Sequence, residues 1–140
     1  MFCSVVGPNH NAIIFFLVRT CQAHARINEH LRNTKGGYAS LLQVTSPDRL
    51  NNDWADKKKL SSVPHVESLL ENVPSHVPIV TLHDAHPAAL SWLGSVNGNR
   101  VRGLGVTSFG QSGDLPDIHR FYNIDANSVY EAALEELEKS

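Results

Sequence analysis

Two rhythms of apolar and polar residues alternate along this chain. Short apolar-rich runs at residues 12–18 (AIIFFLV), 41–45, 78–82 and 101–106 have the length and continuity of strands buried in a parallel sheet. Between them, apolar residues recur every three or four positions, the period that turns one side of a helix toward a core. Over residues 20–33, Ala23, Ile27 and Leu31 share such a face. Gly36 and Gly37 follow, where a helix end needs a left-handed residue.

The same punctuation marks the later elements. Ser46 and Pro47 supply a hydroxyl cap and a proline at the first helical position, where its missing N–H costs nothing. Leu50 and Trp54 then point inward. Pro64 and Pro74 bracket a short helix carrying Val66, Leu69 and Leu70. After the strand at 78–82, Asp84 is expected to cap a helix with Pro87 in its first turn. Leu90, Leu93 and Asn97 lie along one side of that helix, and Asn97-Gly98 closes it. In the strand at 101–106, Gly103 and Gly105 imply close backbone approach. Asp114 opens a helix with Leu115, Ile118 and Tyr122 inward. Asp125 opens the last, with Val129, Tyr130, Ala133 and Leu137 inward and its glutamates outside.

Strands alternating with helices predict an α/β layered domain around a mostly parallel sheet. The 140 residues fit one domain, and no repeat or linker divides them. A domain of that size buries roughly 70% of its unfolded surface. With 41% apolar and 19% charged residues the chain has the means to fold rather than stay disordered.

A net charge of −2 gives no electrostatic footprint for nucleic acid or an anionic membrane. The basic run Lys57-Lys58-Lys59 reads as solvated charge at a helix end. Cys3 and Cys21 form neither a metal nor a redox spacing, so a reduced, cytoplasmic protein is expected. The seven apolar residues at 12–18 fall short of the roughly twenty that a membrane-spanning helix needs. Residues 1–11 lack the Lys or Arg of a secretory leader.

Candidate chemistry concentrates in His83-Asp84-x-His86. His, Asp and His are ligands for a divalent metal. However, neighbouring side chains at a strand end diverge, and Asp84 has a competing role as a helix cap. The strand's C-terminal end is also where α/β sheets place functional groups. The glycine-bearing stretch 103–113 is no phosphate loop. It has no lysine and hydroxyl after its last glycine, and Ser108 stands where a dinucleotide loop needs glycine. No serine sits in a G-x-S-x-G elbow.

Three segments together carry a resemblance: V-T-S-P-D-R-L at 44–50, P-I-V-T-L-H-D through A-L-S-W-L-G-S at 78–95, and L-G-V with F-G-Q-S-G at 104–113, followed by Y-N-I-D at 122–125. As a set they resemble the C-terminal domain of transketolase-like, thiamine-diphosphate-dependent enzymes, closest to the homodimeric pyruvate (2-oxoacid) dehydrogenase first component. The likeness covers residues 39–140, while 1–38 form an atypical leading segment of strand plus helix that can complete the domain. It implies a three-layer α/β/α fold with a mostly parallel four- to five-stranded sheet.

Family members bind thiamine diphosphate and magnesium through a G-D-G…N-N motif and an activating glutamate in other domains. This chain has no Gly-Asp-Gly. The resemblance therefore implies an assembly domain or fragment that is inactive alone and holds no cofactor itself. Its partners would be a second copy or the parent enzyme's remaining domains. The implied interface is His83, Asp84, His86, Trp92, Phe109, Gln111 and Ser112. The alternatives are a standalone protein-binding or regulatory module of the same fold, and a small metal-binding protein using His83, Asp84 and His86.

Overall fold

A computed structural model describes residues 14–16, 21–34, 36–56, 62–108, 110 and 112–139. Four strands, β1 (Ile14–Phe16), β2 (Ser40–Leu42), β3 (Ile79–Leu82) and β4 (Val101–Leu104), pair in parallel in the order β2-β1-β3-β4. The helices are α1 (Cys21–Thr34), α2 (Pro47–Ala55), α3 (His65–Leu70), α4 (Gly94–Asn97), α5 (Leu115–Phe121) and α6 (Ala126–Glu138). A 3-10 segment at Pro87–Leu93 runs directly into α4. The chain is thus mixed α/β. β1 pairs with both β2 and β3, so the leading segment supplies a central strand of the same sheet.

β3 is buried at every position, Thr81 included, as suits an apolar-rich strand inside a parallel sheet. Its side chains alternate between two separate clusters. Val80 and Leu82 join Ala23, Ile27 and Leu31 of α1 and Val129, Ala133 and Leu137 of α6. Ile79 joins Leu42, Val66, Leu70, Leu90 and Leu93. A period-two strand can serve two cores only if they lie on opposite faces of the sheet.

Several sequence expectations need correction. Ser46 stands at the N-cap of α2, with Pro47 at the first helical position, but its hydroxyl makes no capping bond. Asp84 caps nothing. The helical segment starts at Pro87, so the capping position belongs to His86, whose Nδ1 accepts from the Ala88 N–H at 3.2 Å. Leu115 is 64% exposed, because α5 is a surface helix with no buried residue. Glu136 is not outside with the other glutamates. It is buried, and its carboxylate meets the Lys139 ammonium at 2.8 Å and lies 3.9 Å from Arg100 Nε. Lys57-Lys58-Lys59 and Cys3 fall outside the described residues.

The close approach expected at Gly103 and Gly105 is present. A Cβ on Gly103 would stand 2.5 Å from the Pro87 carbonyl oxygen, and one on Gly105 would collide with that of Ala85. Only glycine lets β4 pass beneath the 83–87 turn.

Candidate functional site

The strand order reverses direction between β1 and β3. β1 leads to β2 on one side, whereas β3 leads to β4 on the other. In open α/β sheets the crevice beyond the strand C-termini at such a point is the usual place for a ligand or contact site. His83, Asp84, Ala85 and His86 form the turn that leaves β3 there.

Backbone hydrogen bonds fix this turn against β4. The His83 N–H donates to the Leu104 carbonyl at 3.1 Å, and the Val106 N–H donates to the Ala85 carbonyl at 2.9 Å. Both imidazoles are also engaged. His83 Nδ1 accepts from the Ala85 N–H at 2.9 Å, and His86 Nδ1 accepts from the Ala88 N–H at 3.2 Å. An Nδ1 that accepts leaves the proton of the neutral ring on Nε2. Each ring therefore spends one lone pair on the backbone and turns an N–H donor to its surroundings. Asp84 is 94% exposed, with Oδ1 3.7 Å from His83 Nδ1.

That donor set does not fit a divalent cation. A ligating imidazole needs a free lone pair, and here the Nδ1 lone pairs are taken while Nε2 is protonated. Among the described residues, no group of three or more His, Cys, Asp or Glu side chains is arranged to hold a metal.

Five of the seven residues of the implied interface are described. His83, Asp84 and His86 share the turn, and Ser112 is exposed in the segment ahead of α5. Phe109 and Gln111 lie outside the described residues. Trp92 has a different role. It stacks on Trp54 of α2, with ring centroids 5.5 Å apart and planes inclined by 29°, at the edge of the cluster around Ile79.

Two clefts accompany these features. One, of about 450 Å³, opens beyond the C-terminal end of β2. Val44, Thr45, Ser46, Arg49 and Leu50 of the V-T-S-P-D-R-L segment line it, together with Asp53. Asp53 also accepts the first N–H of α3, from His65, at 2.7 Å. The sequence signal was a helix start directly after a strand, which marks a loop at the functional end of the sheet. The other cleft, of about 520 Å³, runs along the open edge of β4 between Pro87 and the outer side of α6. Sequence reasoning missed it, because edge and central strands of a parallel sheet read alike.

Among the described residues no helix is long and apolar enough to cross a membrane. No protein-family model matches the chain, and no curated protein matches its sequence.

Proposed function

We propose that the chain is the C-terminal domain, or a fragment of it, of a thiamine-diphosphate-dependent 2-oxoacid dehydrogenase or transketolase. In this reading the parallel sheet is the middle of three layers. The domain works in the cytoplasm, serves assembly, and does not catalyse the reaction alone. Its partners are a second copy or the remaining domains of the parent enzyme, which carry thiamine diphosphate and magnesium.

One observation supports this above the others. Two of the segments that carry the resemblance, at 78–95 and 104–113, depend on each other physically. His83 and Ala85 bond the backbone of Leu104 and Val106, and the turn at 85–87 requires glycine at 103 and 105. Residues some twenty positions apart are thus bound into one rigid feature at the strand ends. A feature of that kind suits docking against another domain better than chemistry, since both imidazoles are held by their own backbone.

Complementation tests the reading. A homodimeric 2-oxoacid dehydrogenase first component truncated before its C-terminal domain is mixed with this chain and sized by light scattering. The expected result is co-assembly with recovery of dimer. Failure to associate at any ratio contradicts the proposal.

A further inference from the structure

The open edge of β4 is set up to accept one more strand. Among the described residues, β4 pairs with β3 and with no other strand. Ile79 N–H donates to Arg100 O and His83 N–H donates to Leu104 O. In a parallel ladder the bonding residues on one strand alternate. Arg102 and Leu104 therefore face β3, while the backbone N–H and C=O of Val101 and Gly103 face the open side. The cleft of about 520 Å³ lies there, with Pro87 on one side and Glu131, Ala132 and Glu135 of α6 on the other.

Natural sheets blunt such edges with proline, bulges or inward charges. β4 has no proline, and its one charged side chain, Arg102, is paired to Glu135 only at 3.9 Å.

We infer that a second copy of this chain occupies the edge, its β4 running antiparallel to the first about a two-fold axis at Gly103. Gly103 offers one donor and one acceptor outward, so two copies facing each other exchange both bonds. That is the self-complementary contact a two-fold dimer requires.

The charges agree with that register. α6 runs opposite to β4, since Arg100 bonds the carbonyls of Glu136 and Lys139 while Arg102 meets Glu135. One turn earlier on α6, about 6 Å, stands Glu131. Two residues further along β4, a similar distance, stands Leu104. An axis at Gly103 sets Arg102 opposite Leu104 of the second copy, and so beside its Glu131. The symmetric contact repeats the pair, giving two new ion pairs per dimer. The inference needs no assignment to a parent enzyme.

Sedimentation equilibrium over a concentration series reads the outcome, with circular dichroism confirming folding of each variant. Wild type is expected to pass from one chain to two. Val101→Pro removes a donor that faces the open side and leaves the β3 ladder intact, so it should stay monomeric. Arg102→Glu alone and Glu131→Arg alone should also be monomeric, each placing two like-charged pairs across the axis. Mixed in equal amounts, these two variants should form a dimer again. Monomeric wild type at every concentration overturns the inference, as does a Val101→Pro dimer as tight as wild type. Failure of the two charge variants to re-form a dimer overturns the register. None of these results decides the complementation experiment above, so the two ideas fail separately.

Discussion

Gly105 shows how one atom decides this fold. Adding a Cβ would drive it into the Ala85 carbonyl, which is fixed by the Val106 N–H. Gly105→Ala should therefore cost about 3 kcal/mol, the upper range for forced overpacking, and melt at a clearly lower temperature. Gly113→Ala is the control, since its Cβ would meet Ile118 at an ordinary 3.7 Å. Asp125 and Asp84, both expected to cap helices, separate as sharply. Asp125 accepts from the N–H groups of Asn127 and Ser128 and from the Ser128 hydroxyl. Burial pushes its carboxyl up, but the bonds from Ser128 and Asn127 outweigh that and hold it below the usual carboxylate range. A carboxyl depressed in the folded state stabilises above its unfolded value, and that contribution is lost as pH falls through the folded value. Asp125→Ala should cost about 1 kcal/mol at neutral pH, with the deficit shrinking under acid, as urea melts at several pH values would show. Asp84→Ala should change stability by less than about 0.5 kcal/mol, because its carboxylate is exposed and caps nothing. The sequence pattern placed the cap of α6 correctly and missed the other. Aspartate is the commoner cap, and only the position of Pro87 in space gives the role to His86.

Elements were legible wherever a strong period met clear punctuation. Ala23, Ile27 and Leu31 are each fully buried on α1, and Gly98 closes α4 in the left-handed conformation, with φ of 76°. Legibility failed where position in the fold decides. α5 lies on the surface with no buried residue and leaves Leu115 in solvent, whereas the shorter α3 buries Val66 and Leu70. The connection from α3 to β3 was equally unreadable, because its anchor comes from a distant element. Asn99 is buried and donates to the carbonyls of Pro74 at 2.8 Å and Val77 at 2.9 Å. Asn99→Ala leaves both acceptors without that donor, and should cost about 2 kcal/mol, read as a lower denaturant midpoint with unchanged slope. Trp54 and Trp92 join α2 to the 3-10 segment by stacking, across a sequence gap no period reveals. A double-mutant cycle to alanine should return a coupling of about 1 kcal/mol.

At the scale of the whole molecule, a parallel sheet carries buried clusters on both faces and a rigid turn at the ends of its strands. The α/β class was legible because apolar-rich strands are separated by periodic helices along much of the described chain. The site was legible only as a place. The motif at 83–86 marked the strand end, but the direction of its lone pairs depends on backbone N–H groups whose positions follow from the fold. Those lone pairs turn the apparent metal ligands into a fixed pair of donors. The open β4 edge was invisible, since which strand ends a sheet is a property of the assembled order. Under the proposed function the domain is an assembly part, and thiamine diphosphate and magnesium are held by other domains of the parent enzyme. Titration calorimetry with thiamine diphosphate and magnesium tests that most directly. No saturable heat is expected at any concentration up to the millimolar range, and micromolar binding by this chain alone would contradict the proposal.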